Sequence, residues 1–545
     1  MHALLLALLT ACTPATDSVA SLDVRYAEIR RDLAVADADT TRNVRNKEAR
    51  ARQVKAEQEQ VAFFADPAVR KTIDEARSSS DPKIHWEGER YWREAILHRS
   101  WTEDEKAREN ELLSKIEEQR TRPSTWTSPD GETEISLNGR WPNVSRDADK
   151  LPPDQRRALA ESWADQQVSW MGEDFTALLR LRNEVARREG FNTYWELALA
   201  HSGLSPTEVK SLLDELEALV VPLNQANAAK LVDAAKAEKL NFDFSNEPML
   251  RRKAGLALEQ ADADAWFDTD LVEERLSTAF RDLGLPIDGL RISIGPSRYT
   301  RPGAYSYVIR PPDSADIVIS NDERFALWPY RALLHEVGMA TWWRNLSPEQ
   351  VAMPIAWEPA DPWFEGYGQL YERMLFEPSF LERYVPELPA ELRPKIAAFR
   401  VSSTVETLTW YLGAARMEQA LYERPEQVRE VAAEAAALEQ RLRAWPFQAP
   451  EGDSGVSATS LLQSGLMLNY PGYVQNFLYG AVVESNLWEA AKQAVGDPIA
   501  NPKLGPWVVD QLIHTVGPEQ EFSARLETLS GGRGRTDALA GYLKE

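Results

Sequence analysis

The strongest constraint on the fold is a local change of hydrophobic period. Segments 290–294, 304–309 and 316–319 alternate or run apolar as short strands, separated by Pro and Gly. On either side the pattern is helical: 22–120, 153–189 up to a stop at Gly190, 206–239, 256–284, and from Ala326 almost to the end. Ala, Glu, Arg, Lys and Gln dominate the first of these stretches, and such residues lose little entropy in a helix. An alternating stretch between the turns Ser128-Pro129-Asp130-Gly131 and Asn138-Gly139 reads as a small hairpin. The pattern holds no internal repeat and no sustained heptad. It predicts a mainly α protein with one small β-sheet just before a helix that carries His335.

That helix contains His335-Glu336-Val337-Gly338-Met339. In the zinc-hydrolase pattern His-Glu-x-x-His, two imidazoles one turn apart reach one metal, and the Glu polarises its bound water. Here the second histidine position is Met339, whose thioether is a soft, neutral donor better suited to Cu(I) than to Zn(II).

The first residues form a separate unit. An apolar run from Ala3 to Leu9 leads into Thr10-Ala11-Cys12, and Cys12 is the only cysteine in 545 residues. The run is too short to span a bilayer, and one cysteine makes neither an internal disulfide nor a thiolate zinc site. The segment resembles a bacterial lipoprotein signal, cut before Cys12 and lipidated there. This resemblance implies an exported protein, anchored in the membrane through Cys12 and facing the periplasm or cell surface. Thr13, where Asp would mark inner-membrane retention, favours the outer membrane. Residues 13–21 read as a tether, and 22–545 as one folded unit.

A net charge of −23 argues against nucleic acid and anionic head groups as partners. Its ordinary meaning is solubility. Most of the 18 tryptophans are expected in the core.

Several segments in order resemble the peptidyl-dipeptidases related to angiotensin-converting enzyme, together with the related oligoendopeptidases. After the motif, Asp361-Pro362-Trp363-Phe364-Glu365-Gly366-Tyr367-Gly368-Gln369-Leu370-Tyr371-Glu372 is similar to the family's third-ligand helix, with Glu365 lying 26 residues beyond Met339. Upstream, Leu181-Arg182-Asn183-Glu184 with Gly190-Phe191-Asn192-Thr193-Tyr194 resembles a helix pair. Near the C-terminus, Asn469-Tyr470-Pro471-Gly472-Tyr473-Val474-Gln475-Asn476-Phe477 resembles the tyrosine-bearing segment. The similarity spans about residues 20–545.

The resemblance implies a two-lobed helical fold with a deep central cleft and zinc at its floor. It would make His335 and Glu365 ligands and Glu336 the general base. Tyr473 would hold a peptide carboxylate, with Tyr470 and Tyr479 as further candidate contacts. Gln369 stands where the family often has a carboxylate that orients a ligating histidine. The six histidines, His2, His85, His98, His201, His335 and His514, include none near Arg301–Tyr305 or shortly before the C-terminal tyrosines, where the family binds peptide backbone and oxyanion. Asn476 takes the place of a second tyrosine. Two protein ligands fall short of the three a catalytic zinc site takes, so zinc is expected to be weak or absent.

Three readings follow. One is a peptide-binding protein with impaired catalysis. Another is an active zinc peptidyl-dipeptidase or oligopeptidase that recruits a ligand such as Glu358. The third is a structural, partner-binding helical lipoprotein.

Overall fold

The computed structural model describes residues 15–138, 141–145, 148–258, 265–296, 299–321, 327–359, 361–447, 461, 466–515 and 522–544. The proposed signal segment and Cys12 lie outside the described residues.

The chain is predominantly helical. The helices that frame the site are α1 (Ala15–Arg42), α2 (Lys47–Ala65), α3 (Pro82–Ile96), α4 (Tyr194–His201), α5 (Leu327–Arg344), α6 (Asp361–Met374), α7 (Arg393–Glu423) and α8 (Val474–Val495). The charged stretch 22–120 breaks where sequence chemistry says it should. Asn46, Asp66, Asp81 and Thr102 each accept a hydrogen bond from a first-turn N–H, and Pro67 and Pro82 occupy first-turn positions where a missing N–H costs nothing.

Three boundaries differ from expectation. Residues 15–21, expected as tether, are the first turns of α1, because Val19, Leu22 and Tyr26 bury an apolar stripe against Phe63, Phe64 and Tyr91. Segment 153–189 is two helices, Pro153–Val168 and Glu173–Arg188, separated by a turn that buries Trp170 and Met171. Among the described residues of 256–284, α-helix covers Val272–Asp282, preceded by a 3-10 turn that Asp268 caps.

The hairpin is present as β1 (Thr125–Thr127) paired antiparallel with β2 (Glu134–Ser136) around the Ser128–Gly131 turn. The three predicted strands are β3 (Arg291–Pro296), β4 (Ala304–Arg310) and β5 (Ser314–Asn321), in the order β3-β5-β4. β5 runs parallel to β3 and antiparallel to β4. β4 is therefore an edge strand, and both α5 and α1 pack against it.

A large apolar core runs from Ile96 to Leu543. A smaller one joins α1, α2 and α3 to Ile355, and another gathers Trp126, Trp141, Trp163, Phe244 and Trp445. α5 is buried almost all round, with Leu333, Leu334, Val337, Ala340, Trp342 and Trp343 in the large core. Among the described residues, no helix is long and apolar enough to cross a membrane.

Candidate active site

Three helices build the site. α5 brings His335 and Glu336, α6 brings Glu365 one turn after its start, and Tyr473 precedes the first residue of α8. α6 and α8 pack at close range: a Cβ on Gly366 would lie 2.4 Å from Val483 Cγ1, and one on Gly480 would lie 2.9 Å from Glu365 Cβ. Gly368 has a more direct role, since a Cβ there would sit 2.7 Å from His335 Nε2. Gly368 makes room for the imidazole, while Gly366 makes room for α8.

His335 lies between two carboxylates. Its Nε2 is 3.6 Å from Glu365 Oε2, and its Nδ1 is 3.4 Å from Glu372 Oε2. Glu372 is held in turn by Arg331, whose Nε donates to Glu372 Oε1 at 2.6 Å. Tyr473 OH donates to Glu365 Oε1 at 2.6 Å, while Glu365 Oε2 is buried with no hydrogen-bond donor. Ser306 of β4 stands near enough to Glu336 to favour its charged form, so the sheet edge borders the motif.

The electrostatics follow from burial and these pairings. Burial opposes a charge on His335, but Glu372, Glu365 and Glu336 outweigh it and raise the imidazole to about 9. Burial pushes the Glu365 carboxyl up to about 7, although His335 and Tyr473 pull the other way. Burial acts on Glu372 too, yet Arg331 and His335 hold it down at about 2. Glu336 is raised by burial, with His335 and Ser306 opposing. Tyr473 is raised far above a free phenol, by burial first and then by Glu365.

The remaining expected residues are placed as follows. Met339 is buried one turn beyond His335 and joins the large core. Gln369 does not touch His335: its Nε2 donates to Phe477 O at 3.3 Å. The carboxylate that orients the imidazole is Glu372, seven residues after Glu365 rather than four. Tyr470 is 42% exposed, with its ring centroid 6.3 Å from that of Tyr473, and Arg301 stands beside it. Tyr479 is not brought to the site, because it is fully buried against Phe522. Asn476 is fully buried and donates to Ser202 Oγ and Asp361 Oδ2, away from His335. Glu358 pairs with Arg30 at 2.8 Å and so is engaged elsewhere.

Sequence reasoning missed Glu372 and Arg331, and it gave His201 no role. His201 Nε2 lies 3.1 Å from Glu94 and its Nδ1 lies 3.9 Å from Asp361, in a polar network at the start of α6. Helical period was the available signal for Glu372, which lies two turns from Glu365 on the same face.

The donor set is poorly matched to a catalytic zinc ion. His335 and Glu365 can flank one ion, but the third position offers a thioether, and Glu372 faces the opposite ring nitrogen. Among the described residues, no three His, Cys, Asp or Glu side chains are placed to hold one ion together. A catalytic zinc site takes three protein ligands, so these residues do not fit one.

In overall structure the chain is similar to an M32 carboxypeptidase from Deinococcus radiodurans R1, with TM-score 0.65 and 16% identity over 97% of each chain. It is also similar to Trypanosoma cruzi metallocarboxypeptidase 1, with TM-score 0.62 and 12% identity over 97% of this chain and 99% of that one. An oligoendopeptidase F structure matches with TM-score 0.65 and 15% identity over 96% and 90%. The fold is metallopeptidase-like. No protein-family model and no curated protein matches the chain by sequence. These neighbours carry the sequence resemblance on its oligoendopeptidase side, and they do not single out the peptidyl-dipeptidases related to angiotensin-converting enzyme.

Proposed function

We propose that this chain is a peptide-binding protein on a metallopeptidase-like fold that has lost hydrolysis. The observation that carries the reading is the run of ion pairs and hydrogen bonds Arg331–Glu372–His335–Glu365–Tyr473, with Met339 in the second histidine position. His335 Nε2 and Glu365 Oε2 face each other across 3.6 Å, and Met339 stands where a second imidazole would complete a ligand set. A hydrolytic water depends on a metal for its acidity, so losing that metal costs more than the roughly 3 kcal/mol of a single lost oxyanion donor. The edge strand β4, with Ser306 near Glu336, offers main-chain groups to an extended peptide, the usual way a sheet edge binds one. Lipidation at Cys12 would hold the protein at a membrane facing the periplasm or cell surface. Nucleic acid is not proposed as a partner.

The test is incubation of the protein with a mixed peptide library in zinc-containing buffer, followed by mass spectrometry and affinity selection. Retention of uncut peptides supports the reading, and cleavage contradicts it.

One observation favours a second reading, an active zinc peptidyl-dipeptidase or oligopeptidase. The 3.6 Å between His335 Nε2 and Glu365 Oε2 suits two ligands on one ion. That reading needs a third donor, and the Arg30 pairing of Glu358 weakens the candidate named from sequence.

A further inference from the structure

The tyrosine segment turns sharply just before α8. Tyr473 N–H donates to Tyr470 O at 3.1 Å, Pro471 is the second residue of the turn, and Gly472, the third, has φ +75°. Proline followed by a left-handed glycine is the signature of a type II turn. The turn's own hydrogen bond leaves the Gly472 N–H unused, and a buried N–H needs an acceptor. Glu418 of α7 supplies it, with Oε1 accepting from Gly472 N–H at 2.8 Å. The turn is pressed against α4 as well, since a Cβ on Gly472 would lie 2.4 Å from Ala198 Cβ.

The surroundings of Glu418 disfavour a charge. Its side chain is 1% exposed, and its Oε2 has no hydrogen-bond donor. The Gly472 carbonyl is held by Gln475 Nε2, and Gln475 Oε1 is a second buried acceptor without a donor. Two such acceptors around one glycine are costly, and a proton on Glu418 relieves the cost where a negative charge adds to it. Arg182, on the helix Glu173–Arg188, is the cation that bears on Glu418, but its guanidinium is already committed. It donates to Glu109 at 2.8 Å, to Tyr422 OH at 3.2 Å and to Leu468 O at 2.7 Å. Lys106 shares Glu109 at 2.6 Å. Tyr422, on α7 itself, has its phenol pushed up to about 12 by burial and is neutral. Burial therefore prevails over Gly472 and Arg182 and pushes the Glu418 carboxyl up to about 8. An uncharged carboxyl still accepts from Gly472 through one oxygen.

We propose that Glu418 is a positioning residue for the candidate site, which locks the Tyr470–Tyr473 turn while it is uncharged and loosens it on ionising. The link to the site is one residue long. Gly472 precedes Tyr473, whose OH donates to Glu365 Oε1 at 2.6 Å, and Tyr470, 42% exposed, begins the same turn. A charge on Glu418 calls for a donor at Oε2, and the packed turn has none to give without moving. The inference goes beyond the peptide-binding reading and holds whether the cleft retains a peptide or cuts one.

Carbon-13 NMR on the full chain tests this, with tyrosine rings and glutamate carboxyls labelled. Tyr470→Phe and Glu418→Gln assign the two signals by their loss. Between pH 5 and pH 9 the Glu418 carboxyl is expected to titrate well above an ordinary glutamate, and the Tyr470 ring to shift with the same midpoint. Glu418→Gln keeps an acceptor for Gly472 N–H and cannot ionise. It is expected to abolish that shift and to hold the ring at its low-pH position throughout. Asp37, Glu365 and His335 titrate in the variant too, so the difference between the two proteins reads Glu418 alone.

A Glu418 carboxyl already ionised at pH 5 overturns the proposal. So does a Tyr470 ring that titrates alike in the natural protein and in Glu418→Gln, which would make Glu418 a fixed brace. If the variant were too unstable to study, the natural protein would still decide, because a Tyr470 ring that does not follow the Glu418 midpoint also overturns the assignment.

Discussion

His335 Nδ1 lies 3.4 Å from Glu372 Oε2, so the imidazole is oriented by a carboxylate two helical turns beyond Glu365. The same carboxylate accepts from Arg331 Nε at 2.6 Å. Glu372→Gln therefore leaves two cationic groups short of a partner at once. Breaking a buried pair from one side costs about 3–5 kcal/mol, and the partial exposure of this site reduces that to about 1–3 kcal/mol. Urea denaturation should show the loss. Gln369→Ala, which removes one bond to a backbone carbonyl, should cost less. Equal losses in the two variants would contradict the assignment of the orienting role to Glu372.

Gly368→Ala tests the close approach between α6 and the imidazole. The added Cβ would meet His335 Nε2 at 2.7 Å, and overpacking of this kind costs typically about 1–3 kcal/mol. The informative readout is the His335 ring signal in NMR, which should shift with Gly368→Ala. It should stay in place with Gly541→Ala, where a Cβ meets nothing within 4 Å.

Glu418 gives a pH prediction away from the site. Its carboxyl is buried on α7, accepts from Gly472 N–H at 2.8 Å, and is pushed up to about 8 by burial, with Gly472 and Arg182 opposing. The folded protein keeps this proton where the unfolded chain, with an ordinary Glu near 4.5, has lost it. Stability from this group is therefore complete at low pH, declines as pH rises above about 4.5, and levels off past about 8. Glu418→Gln removes the slope. Urea midpoints at pH 5 and pH 8 should show the variant gaining on the natural protein by an amount on the order of a few kcal/mol. Parallel behaviour at the two pH values would contradict this.

How much of this was legible in the sequence depended on the range of the interaction. The strands at 290–319 and the helix at His335 were readable because local period sets them. Glu365 was named from the family resemblance, which expects a Glu about two dozen residues after the motif, and it lies 3.6 Å from His335. Glu372 was not, because attention fell on position 369, four residues after Glu365, and the helix delivers the carboxylate one turn later. Tyr479 matched a motif spacing but faces Phe522 in the core. Of the tether expected at 13–21, the described part, 15–21, is helix for a similar reason. Small polar residues around Val19 look unstructured until the distant Phe63 and Phe64 cover it. The roles of Asn476 and His201 arise from Asp361, more than a hundred residues away from either, and no local pattern reports such pairings.

The central claim is that, with Met339 in the second histidine position, the site does not hold zinc. Elemental analysis of the purified natural protein beside Met339→His tests it most directly. The account predicts near-zero zinc in the natural protein and about one zinc per chain in the variant, where His335, the introduced imidazole and Glu365 supply three ligands. One tightly held zinc per natural chain would contradict it.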